Sequence, residues 1–209
     1  MTVELNTEQS AAVLAPLDRA VMVVAGPGSG KTKVITERVL HVLRESKARP
    51  SSILVTTFTR KAADEMRERL APSILPEALD LLRLGTIHAN CYRILKEESR
   101  GKRVISSWEQ KKILDDVLGW CRNWDVGWKF PLLWIGKAKG SLVLPLASEG
   151  YFAFKFRHHG AGAMFARNLA QVYERYEADK HAMGAMDFSD MLLWVRLSLR
   201  DDRAFRARW

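Results

Sequence analysis

One octapeptide constrains this 209-residue chain more than anything else in it: Ala25-Gly26-Pro27-Gly28-Ser29-Gly30-Lys31-Thr32. It fits the pattern G-x-x-x-x-G-K-[ST] everywhere except the first position, where alanine supplies another small residue. The residue types follow from the chemistry. Glycines let successive backbone N–H groups turn inward around phosphate oxygens, and the helix that follows adds the positive end of its dipole. Lys31 is placed to reach the β- and γ-phosphates as the catalytic lysine, and Thr32 to offer its hydroxyl to Mg²⁺. Average composition yields such an octapeptide by accident in roughly one chain of this length in a hundred. The loop is therefore read as a triphosphate site made of Ala25, Gly26, Pro27, Gly28, Ser29, Gly30, Lys31 and Thr32, with Lys33 in the first helical turn.

The surroundings fit that reading. Ala20–Ala25 is continuously apolar and largely β-branched, the pattern of a strand buried on both faces. A helix is predicted from about Lys31 to Leu43, a second strand over Ser52–Thr57, and a helix capped by Thr59 after it. A shorter strand near Leu84–Ile87 leads into a helix from about Ala89 to Glu98. Asn6-Thr7-Glu8-Gln9 has the form of a capped helix start. Alternating strands and helices mean an α/β fold, a parallel sheet with helical crossovers.

Near Ser99-Arg100-Gly101-Lys102 the character changes. From Trp108 to about Ala185 the periodicity is helical, broken at Gly127, Pro131, Pro145 and Gly160–Gly162. Five of the seven tryptophans (108, 120, 124, 128 and 134) fall in one short part of it. Rings at that spacing are expected to hold a small helical core. The cations among them, Arg122, Lys129, Lys137 and Lys139, are expected outside, facing a polyanion. Asp187 is expected to cap a last helix with Phe188 in its core, the apolar face running through 188, 191, 192, 195 and 199.

Charge agrees with a polyanion partner. The chain carries +9, and residues 101–170 alone hold eleven basic against five acidic side chains. No apolar run approaches the roughly 20 residues of a membrane span. No basic segment leads into an apolar stretch at the start, and two cysteines make neither a disulfide framework nor a metal cluster. A soluble protein of the reducing cytoplasm is expected.

Several further motifs resemble one family. Leu5-Asn6-Thr7-Glu8-Gln9, the phosphate loop, Thr57-Phe58-Thr59-Arg60-Lys61-Ala62-Ala63-Asp64-Glu65-Met66, Gly85-Thr86-Ile87-His88 and Met186-Asp187-Phe188-Ser189-Asp190 are similar to the opening motifs of the UvrD/Rep/PcrA group of superfamily 1 DNA helicases. The resemblance implies a P-loop NTPase of RecA-like fold, its parallel sheet incomplete here. Its parts are a first ATP-binding portion at 1–98, an inserted all-helical subdomain at 99–185 and a return helix at 186–209. It implies ATP and Mg²⁺ as cofactors, single-stranded or partially duplex DNA as partner, and 3′→5′ helicase or translocase activity. Gln9 alone is either a capping-box partner of Asn6 or a reader of the adenine edge; the resemblance favours adenine. It also places Thr57, Phe58, Arg60, Lys61, Thr86 and His88 on single-stranded DNA, where hydroxyls and cations meet phosphates and Phe58 stacks on a base. Arg60 replaces the family's usual asparagine and Ile87 its phenylalanine.

One element of an NTPase is missing from the sequence: an apolar strand ending in Asp-Glu, to hold Mg²⁺ and position the attacking water. Ile113-Leu114-Asp115-Asp116 and Val195–Asp202 come nearest, yet both sit in helical patterns. The expectation is an opening portion of a longer helicase (an expressed piece, a natural truncation or a segment), with little ATPase of its own. Two other readings stay open: a non-catalytic, ATP-responsive DNA-binding module, and a small nucleotide kinase, which fits the length and loop but not the Thr57–Met66 motif.

Overall fold

The computed structural model describes residues 4–46, 48–120, 126–158 and 162–209. Arg122, Trp124, Gly160 and the Trp120 side chain, all singled out above, lie outside what is described, as does Cys121. The chain folds as two compact units, Met1–Asn90 and Cys91–Trp209.

The first unit is mixed helix and strand. Helix α1 (Thr7–Leu14) starts at a full capping box: Gln9 N–H donates to Asn6 Oδ1 at 2.8 Å, and Asn6 N–H to Gln9 Oε1 at 3.2 Å. Helix α2 (Lys31–Glu45) follows the phosphate loop. Strand β1 (Leu54–Thr57) leads into α3 (Arg60–Leu70), whose first turn is capped by the Thr59 hydroxyl accepting from Ala62 N–H. Helix α4 (Pro76–Leu81) precedes β2 (Arg83–Thr86), which runs straight into α5 (Ile87–Glu97). The strands pair in parallel with Leu54 opposite Arg83 and Thr57 opposite Thr86. Val39, Leu40, Val55, Ala63, Met66, Leu70, Leu82 and Leu84 bury one face of this sheet against α2 and α3. Asn90, itself buried, donates to both the Val55 and Gly85 carbonyls and ties the two strands together.

The expected buried strand at Ala20–Ala25 is not there. The segment belongs to no sheet, and Met22 and Val24 are each 86% exposed. An apolar run becomes a strand only when a neighbour supplies the ladder of hydrogen bonds. Among the described residues β1 and β2 pair only with each other, so the run has no such neighbour.

The second unit is mainly helical: β3 (Arg103–Val104), α6 (Ser107–Trp120), α7 (Lys129–Gly140), α8 (Ser148–Phe156), α9 (Gly162–Ala182), β4 (Ala185–Met186), α10 (Phe188–Asp201) and α11 (Arg203–Arg208). β3 and β4 form a second short parallel pair. Glu109 closes the start of α6 by accepting from Ser106 N–H at 2.8 Å. That bond, with the Arg103 guanidinium, lowers its carboxyl to about 2. The core gathers Ile105, Leu114, Ile135, Phe152, Leu169, Tyr173 and Tyr176. Trp134 packs edge-on to Phe156 with centroids 4.7 Å apart, and Trp128 also packs against this core. Trp108 does not; it is 68% exposed with Lys112 over its ring.

Two expectations fail in this unit. Phe188 is half exposed rather than core, because the buried face of α10 runs through Asp190, Met191, Leu193, Val195 and Leu197. Lys139 does not face a partner: it is 1% exposed, as is Lys180. The Lys139 ammonium lies 2.7 Å from Glu177, 2.8 Å from Asp187 and 2.6 Å from Asp190. Lys180 repeats the set at 2.8, 2.9 and 2.5 Å. Asp187 and Asp190 also form the capping box of α10, and the Tyr176 hydroxyl donates to Asp187. Burial opposes the charge on Lys139, but the three carboxylates more than offset it and hold the ammonium well above its ordinary range. Burial likewise works against ionised Asp187, and Lys139 and Lys180 overcome it, keeping the carboxyl well below the usual carboxylate range.

Candidate nucleotide and nucleic-acid site

The phosphate loop makes a closed turn between Ala25 and α2. Gly28 and Gly30 both take left-handed backbone, at φ +75° and +81°, a region that L side chains rarely enter. These reversals bring the chain round into α2, whose first helical bond runs from Val34 N–H to the Gly30 carbonyl at 3.0 Å. Ser29 N–H makes a long 3.4 Å bond to the Gly26 carbonyl. Among the described residues the amides of Gly26, Gly28, Gly30, Lys31, Thr32 and Lys33 meet no acceptor in the protein. Free amides clustered at a helix N-terminus favour an anion. A Cβ built on Gly26 or Gly28 would meet nothing within 4 Å, so both face open space.

Side chains complete the loop. The Lys31 ammonium folds back on the carbonyls of Ala25 and Gly26, at 3.1 and 2.5 Å. Thr32 has no hydrogen bond through its hydroxyl among the described residues, which leaves that oxygen for a metal. Free amides, a cation on the loop and an unengaged hydroxyl fit a triphosphate with Mg²⁺. Lys33 points elsewhere, donating to the Glu4 carbonyl and so fastening the segment before α1 to α2. Arg38, further along α2, donates to the carbonyls of Val13, Ala15 and Pro16 and closes the C-terminal end of α1. Gln9 uses both ends of its amide: Oε1 in the α1 cap, Nε2 on the Ser29 carbonyl at 3.1 Å.

The second group of residues sits at the carboxyl ends of β1 and β2. Register places Thr57 beside Thr86, so the two strands end side by side. Their hydroxyls differ in what remains free. Thr57 donates to the Thr59 carbonyl at 2.9 Å, while Thr86 accepts from Ala89 N–H at 3.2 Å and keeps its proton. Only Thr86 offers a donor to a phosphate without breaking a bond. Phe58, next after β1, is 95% exposed, so a core role is excluded and both ring faces are open to stacking. Arg60 and Lys61 are exposed in the first turn of α3, and Lys61 makes a 4.0 Å surface pair with Glu65. His88, second in α5, is half-buried.

Sequence reasoning missed the buried charges of the second unit and the loop-side bond of Gln9. The first left a signal: Glu177 and Lys180 are spaced three apart, on one helical face, and Asp187 and Asp190 have the three-residue spacing of a capping box. The second left none, because Gln9 and Ser29 lie 20 residues apart.

The family model for the UvrD/REP helicase N-terminal domain matches residues 5–209. The ATP-dependent DNA helicase SRS2 of Saccharomyces cerevisiae is 31% identical over 224 residues, covering 92% of this chain and 18% of that protein. The ATP-dependent DNA helicases PcrA of Staphylococcus aureus and Staphylococcus epidermidis are each 31% identical, over 200 and 198 residues, covering 90% of this chain and 26% of their own length. The chain thus spans about a quarter or less of these relatives. With a match running from Leu5 to Trp209, the chain belongs to the UvrD/REP helicase N-terminal domain family.

Proposed function

We propose that this chain is the ATP-binding and single-stranded-DNA-binding N-terminal portion of an ATP-dependent 3′→5′ DNA helicase or translocase. In this reading residues 1–98 open a RecA-like domain, 99–185 are the inserted helical subdomain, and 186–209 return to the first. The observation that carries it is the phosphate loop, a closed turn whose unpaired amides and Lys31 stand at the start of α2. The free amides would wrap the β- and γ-phosphates, and Lys31 would leave its own carbonyls for them. Thr32 would hold Mg²⁺, which supplies charge neutralisation between the phosphates when bound. Thr86, Lys61 and Arg60 would take successive backbone phosphates of the strand and Phe58 a base.

A second reading, an ATP-responsive DNA-binding module without turnover, is favoured by one observation. Ile113–Asp116 lies in α6 and Val195–Asp201 in α10, so neither acidic pair ends a strand. Binding and turnover measured on the 209-residue chain test what the two readings share. Mg²⁺·ATP should bind and be lost in Lys31→Ala, with negligible DNA-stimulated hydrolysis in either protein. Robust hydrolysis that vanishes in Lys31→Ala would show that catalytic carboxylates are present after all. Affinity for single-stranded DNA should fall steeply with salt, and Lys61→Ala should reduce the log–log slope by about 0.7, one phosphate contact. Phosphoryl transfer to a small acceptor would instead make the chain a kinase.

A further inference from the structure

We infer that Gln9 is a positioning residue for the phosphate loop, setting the direction of one anion-binding amide from the start of α1, in addition to any contact with a nucleobase. The inference rests on the reading of Ala25–Thr32 as a triphosphate site. The geometry begins with the two ends of one side-chain amide. Oε1 accepts from Asn6 N–H at 3.2 Å and fixes the side chain to the first turn of α1, while Nε2 donates to the Ser29 carbonyl at 3.1 Å. The peptide between Ser29 and Gly30 is planar and trans, so its C=O and N–H point in opposite directions. Holding the Ser29 carbonyl toward Gln9 therefore aims the Gly30 N–H away from it, on the other side of the turn. That amide has no acceptor among the described residues, and a carbonyl swung into its place would repel a phosphate. The approach is close: a Cβ on Gly30 would stand 2.9 Å from Gln9 Nε2. Glycine at position 30 thus serves two needs, its φ of +81° and room for the Gln9 amide.

Base reading and loop setting predict different outcomes with an anion that has no base. The probe is inorganic tripolyphosphate with Mg²⁺, its affinity measured by calorimetry on the 209-residue chain beside that of ATP. Gln9→Glu keeps an acceptor for Asn6 N–H but replaces the donor that meets Ser29 with a carboxylate oxygen. Beyond the loss seen in Asn6→Asp, which adds the same charge at the start of α1 but keeps the Gln9–Ser29 bond, it should weaken tripolyphosphate by about three- to tenfold, the range of one net hydrogen bond. Asn6→Ala removes the cap acceptor, leaves the Gln9–Ser29 bond, and should keep the native tripolyphosphate affinity. Gln9→Glu binding tripolyphosphate as the native chain does would overturn the inference and leave Gln9 a base reader at most. Equal losses in Gln9→Glu and Asn6→Ala would also overturn it, because they would assign the effect to the fold of α1. Failure of the native chain to bind tripolyphosphate at all would remove the triphosphate site itself, and the inference with it.

Discussion

Lys139 shows how far a single residue's setting decides its role. By type and neighbourhood it reads as a surface cation, yet three carboxylates and Lys180 enclose it. The set counts two ammonium groups against three carboxylates, so losing a cation leaves uncompensated buried charge at about 3–5 kcal/mol. Asp187→Asn leaves the charges even but weakens the charged hydrogen bonds from Lys139 and Lys180, each contributing about 1.5–3 kcal/mol. Asp187→Asn should therefore lower the urea midpoint of unfolding strongly. The pH dependence has a definite sign. Asp187 titrates lower in the folded chain than in the unfolded one, so its contribution is complete above the ordinary carboxylate pKa of about 3.9 and is lost as pH falls toward the folded value. Lys139 titrates higher when folded, so its contribution is complete below about 10.4 and is lost as pH rises through the folded value. The urea midpoint should hold between these limits and drop on the acid side. In Asp187→Asn the acid drop should be shallower; an unchanged acid limb would mean that other carboxylates govern it.

At the scale of elements, α1 depends on α2. It has only eight residues, too few to be stable alone. Arg38 gathers the carbonyls at its far end, and hydrogen bonds from a charged donor contribute about 1.5–3 kcal/mol. Arg38→Ala should cost about 2 kcal/mol and show first as faster amide exchange within Thr7–Leu14. Exchange unchanged there would place the anchoring of α1 elsewhere, with Lys33 the next candidate. What the sequence revealed at this scale was whatever local chemistry decides. The Asn6–Gln9 box, the Thr59 cap, β1 before α3 and β2 before α5 each rest on residues within a few positions. The strand at Ala20–Ala25 was illegible in its outcome, since pattern describes a segment while pairing requires a partner. Lys139 was illegible for a similar reason: its burial depends on α7, α9 and α10 meeting. In the candidate site, the loop was proposed from spacing and the strand-end residues through the family resemblance, whereas which hydroxyl proton stays free was not legible.

For the whole molecule, the exposed Val21–Val24 run is the feature that most affects behaviour in solution. Contiguous apolar, β-branched backbone without a sheet neighbour is a template for pairing with another chain. The 209-residue chain should self-associate as its concentration rises, and the double substitution Met22→Lys with Val24→Lys should suppress this in light scattering. A native chain that stays monomeric at high concentration would show that the run is shielded in solution. The enclosed charges bear on the molecule's history as well as its stability. Two ammonium groups and three carboxylates that each need the others form a unit of inheritance, and a lineage that loses one member must soon change another. Such positions should drift together or hold still together, and a matched apolar replacement of the whole set would fold where any single replacement falters.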